Sequence, residues 1–291
     1  NPASVTFTDA NWNVPQAITV TAVNDAVAEG LHSSLITHAA TSADGDYHGI
    51  AIGDVTATIT DNDTAGATVA QSGGTTAVTE GGATDSYTVV LTSEPTADVT
   101  ITVGTDGKTT VDTATLTFTA GNWSTPQTVT VTAVNDAVAE GVHSSSITHT
   151  AASADGFYNG IAVAGLTASI TDNDTAGVTV TQSGGTTTVT EGGATDSYTL
   201  VLTSEPLANV TISVSPDSQT TVSAASLTFT AGNWSTPQTI TVTAVNDAIM
   251  EGAHNSTITH AAASTDGMYD GIAVSSVTAA ITDNDTAGVT I

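Results

Sequence analysis

The heptapeptide Thr-Asp-Asn-Asp-Thr-Ala-Gly stands at 60–66, again at 171–177 and again at 282–288. In each copy two carboxylates lie two residues apart: Asp61 and Asp63, Asp172 and Asp174, Asp283 and Asp285. An alternating apolar stretch precedes each pair. Extended residues at i and i+2 project to the same side of a strand, so each pair sets two negative charges side by side. Such a pair repels itself unless a cation lies between the two oxygens. The chemistry implied is the binding of a hard divalent ion.

Other acids return at the same interval. The Asp pairs recur every 111 residues, as do Trp12, Trp123 and Trp234. In the last complete unit the acids are Glu191, Asp217, Asp247, Glu251, Asp283 and Asp285. The unit before it carries Glu80, Asp106, Asp136, Glu140, Asp172 and Asp174, and the first keeps Asp25, Glu29, Asp61 and Asp63. In the unit 178–288 the carboxylates are crowded together with no cationic side chain nearby, which suits Ca²⁺ and its about six to eight oxygens in flexible geometry. Asn246 and Asn284 are further candidate oxygen donors. Mg²⁺ prefers a tighter shell with fewer protein ligands, and Zn²⁺ would want His or Cys.

The elements that must position these acids are short and alternating. In the unit 178–288, period-2 stretches are expected over 178–181 with a continuation through 187–190, then over 197–203, 209–215, 220–223, 226–230, 238–245, 256–263 and 274–282. Gly, Pro, Asn and Asp fall between them, and no helical period of useful length occurs. Seven or eight such strands predict an antiparallel β-sandwich of immunoglobulin-like plan. Its core is expected to hold Val180, Tyr198, Leu200, Leu202, Val210, Ile212, Leu227, Phe229, Ile240, Val242, Ile258, Val277 and Ile281. Loops of a sandwich gather at its two ends, and strand parity sends the acid-bearing loops to one of them. The repeat divides the chain into the C-terminal part of one sandwich (1–66), two full sandwiches (67–177 and 178–288) and the start of another (289–291). The fold class is all-β, tandem sandwiches, as expected of a window on a longer array.

Composition narrows the function. Lys and Arg together number 1 against 29 Asp and Glu, a formal net charge of -28, and the one cation is Lys108. Nucleic-acid binding needs cations facing phosphates, so it is excluded, as is a polybasic membrane patch. A halophilic surface would scatter its acids, whereas these recur at fixed positions. Cysteine is absent, which leaves metal as the alternative staple. No apolar run is long enough to span a membrane, and no membrane insertion is expected.

The ordered motifs resemble those of the Calx-β domains, found in sodium–calcium exchangers and in large bacterial surface proteins. The resemblance rests on Val189-Thr-Glu191-Gly-Gly before a Tyr198-Thr-Leu-Val-Leu strand, on Ile240-Thr-Val-Thr-Ala-Val-Asn-Asp247 followed by Glu251-Gly, and on Ile281-Thr-Asp283-Asn-Asp285. It implies a seven-strand sandwich with Ca²⁺ at the loop end, with Glu191, Asp217, Asp247, Glu251, Asp283 and Asp285 as ligands. Asn246, Asn284 and the lack of a second acid after Glu251 depart from the most acidic family pattern and imply fewer ions.

The expected function is architectural: a structural extracellular fibre or stalk, secreted to the cell surface and rigidified by Ca²⁺ between repeats, with assembly into a filament or surface layer as its extension. The alternative is an adhesin whose repeats bind glycan or a partner protein, which exposed Trp123 and Trp234 would favour. Partners are therefore neighbouring repeats of the chain, then other copies or cell-surface glycans. A Ca²⁺ sensor would need only one or two units. No catalytic residue is expected, because the paired acids come with neither a cleft nor a nucleophile motif. The Trp residues are expected to plug a core end, and Asp155 and Asp266 to form turns. The recurrent His32, His143 and His254, and His38, His149 and His260, six residues on, are expected to be surface or groove residues, with a transition-metal site as the alternative.

Overall fold

The computed structural model describes residues 2–289; of the segment expected to start a further unit, residues 290 and 291 lie outside the described part. The chain is a series of antiparallel β-sandwiches. It divides into two compact units. One comprises Asn1–Thr76, Asp85–Val131 and Ser145–Ala168; the other comprises Ala77–Thr84, Thr132–Ser144 and Ser169–Ile291.

The second unit contains a whole repeat. Its strands are β12 (Val178–Gln182), β13 (Thr187–Thr190), β14 (Asp196–Leu202), β15 (Val210–Pro216), β16 (Thr220–Val222), β17 (Ser226–Phe229), β18 (Gln238–Ala244), β19 (His254–Ala263) and β20 (Val277–Thr282). They form a four-stranded sheet in the order β12-β14-β18-β16 and a five-stranded sheet in the order β13-β20-β19-β15-β17. The inner faces share one cluster: Tyr198, Leu200, Ile240 and Val242 from the first sheet, and Ile212, Phe229, Ile258, Val277 and Ile281 from the second. Each fully buried large apolar side chain contributes about 1.5–3 kcal/mol. Thr at the alternate positions faces outward, as in β18, where Ile240, Val242 and Ala244 are buried and Thr243 is exposed.

Two features differ from the sequence expectation. The first strand is two strands. Gly184 and Gly185 take positive φ (61° and 86°) in a 3-10 turn over Ser183–Gly185, a conformation open to glycine at little cost. The chain therefore changes sheets: β12 runs antiparallel to β14, while β13 runs parallel to β20. The core also takes in Tyr269, from a loop without periodicity. Tyr269 is fully buried, and its hydroxyl donates to the Ser204 carbonyl at 2.8 Å. Val180 packs at the edge of the core and is only partly buried.

The first unit holds β1 (His32–Ile36) and β2 (Val55–Ile59), an antiparallel pair, and most of a second full repeat. The strands of that repeat are β3 (Ala67–Gln71), β4 (Thr76–Thr79), β5 (Asp85–Leu91), β6 (Val99–Thr105), β7 (Thr109–Val111), β8 (Thr115–Phe118), β9 (Gln127–Ala133), β10 (His143–Ser153) and β11 (Leu166–Thr171). Their sheet orders, β3-β5-β9-β7 and β4-β11-β10-β6-β8, repeat those above. In residues 2–66 Phe7, Trp12, Ile18 and Val20 are exposed, whereas their counterparts Phe118, Val129 and Val131 are buried and Trp123 is half-buried. Two strands alone do not make a core.

Candidate metal centre

The acids converge because the inward columns of the sandwich run on past its apolar core. In β13, Thr187 and Val189 face inward, and Glu191, two residues further, keeps that direction and is only 3% exposed. In β20 Val277, Ala279 and Ile281 face inward, and Asp283 and Asp285 continue the column. β13 and β20 are parallel neighbours with Val189 beside Ile281, so Glu191 emerges next to Asp283. The Glu191 amide donates to the Thr282 carbonyl at 3.1 Å. β18 delivers Asn246 and Asp247. β19 places His254 opposite Ile281, on the face of buried Ser256 and Ile258. At the end of the sandwich the column thus changes from hydrocarbon to carboxylate.

Two groups of donors result in this repeat. Ligand atoms of Glu191, Asp247 and Asp285 lie within 4.8 Å of one another, as do those of Glu191, Glu251 and His254. Glu191 belongs to both. In the preceding repeat the groups are Glu80 with Asp172 and Asp174, and Glu80 with Glu140 and His143. Glu80 Oε2, Glu191 Oε2 and Asp285 Oδ2 are buried with no hydrogen-bond partner. An orphaned buried carboxylate oxygen is costly, and these three are aimed into the clusters. A bound cation would satisfy them. Asp25, Glu29, Asp61 and Asp63 line one concavity of the first unit together with His32 and Asn24.

Several predicted acids also hold loops by hydrogen bonds, Asp172 among them although it belongs to a donor group. Asp283 clasps the loop before β19. Its Oδ2 accepts the amides of Glu251 (2.7 Å) and Gly252 (2.6 Å), and its Oδ1 accepts that of Asp285 (2.7 Å). Asp172 and Asp61 make the same three bonds in their repeats. Asp217 lies outside both donor groups. Its Oδ1 accepts from Ser256 Oγ at 2.6 Å and its Oδ2 from the Thr257 amide at 2.8 Å. Asp106 is held likewise by Ser145 and Ser146. Asp136 is exposed, and its Oδ1 accepts the Val138 amide.

Charge follows this division. Burial, then the charges of Asp283, Asp247, Asp285 and Glu251, push the Glu191 carboxyl above its ordinary value. Burial, Asp136, Asp172 and Glu140 push Glu80 up, against the opposing pull of His143. Burial with Asp172 and Asp136 raises Asp174. The amides of Asp285, Gly252 and Glu251 hold Asp283 below its ordinary value. For Asp172, burial pushes upward, but the amides of Asp174, Gly141 and Glu140 together with His143 bring it down. The clasping aspartates are thus stabilised as anions, whereas the two buried glutamates sit where the anion is disfavoured.

The asparagines tie the loops together through their amide groups. Asn284 Nδ2 donates to Asn246 Oδ1 (2.8 Å) and to the Glu191 carbonyl (2.9 Å), and Asn173 donates to Asn135 in the same way. This tie requires Gly192, whose φ is +63° and where a Cβ would stand 2.7 Å from Asn246 Oδ1.

The sequence reading set a metal role for the histidines second to a surface or groove position and did not join them to the acids. The Gly252 carbonyl can only accept, so His254 Nδ1, 2.8 Å away, carries the proton and Nε2 faces Glu251 Oε2 at 3.4 Å. His143 repeats this, with Nδ1 on the Gly141 carbonyl at 3.0 Å and Nε2 3.1 Å from Glu140. The available signal was parity, since His254 shares the face of Ser256 and Ile258. The second histidine set sits elsewhere: His149 Nδ1 meets the Ala164 carbonyl and its Nε2 accepts from the Tyr87 hydroxyl at 2.9 Å. Asp155 and Asp266 form turns; Asp266 accepts the amides of Met268 and Leu207. Trp123 and Trp234 are half-buried, and Trp12 is exposed.

No protein-family model and no curated protein matches the chain. Among solved structures it is similar to the CBD12 domains of CALX1.2 at 17% identity, over 66% of this chain and 79% of that one, with a TM-score of 0.29. It is similar to the calcium-binding domain CBD12 of CALX1.1 at 15% identity, over 75% and 100%, with a TM-score of 0.32. The titin domains z1z2 in complex with telethonin match at 13%, over 77% and 98%, with a TM-score of 0.33. None of these likenesses bears on the site. Among the described residues no helix is long and apolar enough to cross a membrane.

Proposed function

We propose that each acid cluster is a Calx-β-like Ca²⁺ site that fixes one repeat to the next, and that repeats joined in this way form a stiff extracellular fibre or stalk. The observation that carries this reading is the loop Asp136-Ala-Val-Ala-Glu140. Its two ends carry acids of the cluster. Its middle pairs with the following repeat: the Glu205 amide donates to the Ala137 carbonyl at 2.7 Å, and Val138 bridges Glu205. The loop Asp25-Ala-Val-Ala-Glu29 does the same with Glu94. One short loop is therefore tied to the donor groups through Glu140 and to the neighbour through its middle. With Ca²⁺ the carboxylates are drawn together and the loop is fixed for pairing. Without it they repel, and the paired segment loosens.

The compact units support the same reading, because the acid-bearing segments 77–84, 132–144 and 169–177 group with the repeat that follows. The orphaned oxygens of Glu80, Glu191 and Asp285 supply hard oxygen donors, which Ca²⁺ prefers. Lateral assembly into a filament or surface layer is a further step of the same proposal. Nothing at Trp123 or Trp234 favours the adhesin alternative, since both rings are half-buried.

The test is small-angle X-ray scattering of the 291-residue chain in excess Ca²⁺ and then in chelator at fixed ionic strength, beside a calorimetric Ca²⁺ titration. A rod-like profile that becomes flexible on chelation is expected. Identical profiles with a silent titration would sink the proposal.

A further inference from the structure

We infer that each full repeat carries a second metal site, built from a histidine and two glutamates, that takes Zn²⁺. The donors are His143, Glu80 and Glu140 in one repeat and His254, Glu191 and Glu251 in the next. The site shares one glutamate with the oxygen cluster but does not depend on Ca²⁺ being there.

Four observations carry the inference. The first is donor type. Ca²⁺ takes oxygen ligands, whereas an imidazole nitrogen with two carboxylates is a Zn²⁺ set that leaves a fourth position open. The second is tautomer. His143 gives its Nδ1 proton to the Gly141 carbonyl and His254 gives its own to that of Gly252, which turns Nε2 toward the glutamates. A ring nitrogen donating to a backbone carbonyl is how metal-ligating histidines are oriented.

The third is distance. His143 Nε2 lies 3.1 Å from Glu140 Oε2 and 3.7 Å from Glu80 Oε1. Ligands about 2.1 Å from a tetrahedral Zn²⁺ lie roughly 3.4 Å from one another, and these two separations straddle that value. The fourth is burial. Glu80 and Glu191 are each 3% exposed, and each has a second oxygen without a partner. A plain histidine–glutamate ion pair would leave that oxygen orphaned. A carboxylate bridging two ions would use both of its oxygens. The first repeat supplies an internal comparison: His32 and Glu29 keep the arrangement, with Nδ1 on the Gly30 carbonyl and Nε2 3.4 Å from Glu29, but position 80 has no counterpart in residues 1–66.

The experiment titrates Zn²⁺ into the whole chain, once in millimolar Ca²⁺ and once after chelation and dialysis, read by calorimetry and by imidazole nuclear magnetic resonance. A parallel titration uses Co²⁺, whose visible absorption reports tetrahedral coordination. Two equivalents of Zn²⁺ are expected to bind with Ca²⁺ present. The rings of His143 and His254 should shift, and those of His149 and His260 should not. The double variant His143→Gln/His254→Gln should weaken Zn²⁺ binding by at least the roughly 10–100-fold that losing even an outer partner costs, while leaving the Ca²⁺ titration unchanged. Unmoved ring signals in the unsubstituted chain would overturn the inference. So would Zn²⁺ binding that survives the double substitution, which would mean that Zn²⁺ merely enters the oxygen cluster. A silent Ca²⁺ titration alongside histidine-dependent Zn²⁺ binding would defeat the Ca²⁺ reading and leave this site standing.

Discussion

The acid end of the middle repeat and that of the third are built alike but finished differently. In the middle repeat the loop 136–140 pairs with Glu205, and Ala139 is 3% exposed. In the third repeat the counterparts Ile249 and Met250 are 61% and 58% exposed. Yet both ends gather acids about the buried glutamate, with Asp172 and Asp174 beside Glu80 and Asp247 and Asp285 beside Glu191, and both leave a buried glutamate oxygen orphaned. Convergence of the acids is therefore a property of one sandwich, set by strand parity and by the aspartate clasp. The junction adds cover to the loop and does not create the cluster. This order suits a site that can bind first and dock afterwards.

The largest expected effect comes from breaking the tie that both ends share. Gly192 and Gly81 have φ near +60°, and a Cβ at either would meet an asparagine Oδ1 at 2.7 or 2.6 Å. Left-handed strain of about 1–2 kcal/mol adds to displacement of the Asn–Asn bond, worth about 1 kcal/mol. Gly192→Ala and Gly81→Ala should each destabilise the chain by about 2–3 kcal/mol in urea unfolding. Gly184→Ala has the same φ but nothing within 4 Å, so it should show the strain alone. Equal losses at Gly184 and Gly192 would mean that the asparagine tie does not matter.

These residues also show what was legible in the sequence. The period-2 columns ending in acids were readable, because a strand's parity continues past its last apolar residue. The sandwich and most of its core followed from them. What each carboxylate does was not readable. Asp283 and Asp217 have the same charge as Asp285, but backbone amides and a serine hydroxyl also lay claim to their oxygens. Such claims depend on loop conformation, which has no period. The same blindness hid Tyr269, buried from within a loop, and the sheet change at Gly184 and Gly185. His254 was open to a parity argument that would have joined it to the acids, but a metal role was set second because histidine so often lies on a surface.

A middle-sized effect should separate covered from uncovered loops. Ala139 and Met250 are equivalent positions, one buried and one exposed. Ala139→Met puts a larger side chain into a filled junction, and overpacking of this kind costs about 1–3 kcal/mol. Met250→Ala removes apolar surface from an open loop and should stay within about 0.5 kcal/mol. Unfolding midpoints of the two variants, each against the parent chain, make the comparison. Similar changes in both would show that residues 137–139 gain nothing from the next repeat.

The smallest effect is in pH, and its sign tests what the two ends have in common. Glu80 and Glu191 sit above their ordinary value of 4.5 because burial and neighbouring acids disfavour the anion. A carboxyl raised in the folded state binds protons more readily there than in the unfolded chain. In chelator, stability should therefore rise as pH falls from neutrality toward 4.5 through the window these two groups define. Asp172 and Asp283 lie below their ordinary value of 3.8; their contribution is intact above that value and is lost only as pH falls beneath it, so the two trends do not overlap. Ca²⁺ needs deprotonated ligands and should reverse the slope, making neutral pH the more stable condition. His143 partly offsets the push on Glu80, whereas the causes acting on Glu191 all raise it. Glu191→Gln and Glu80→Gln should each flatten the chelator profile. Urea midpoints between about pH 5 and 7.5, with chelator and with Ca²⁺, measure this directly. A chelator profile that both substitutions leave unchanged would show that the buried glutamates are not the strained members of the cluster.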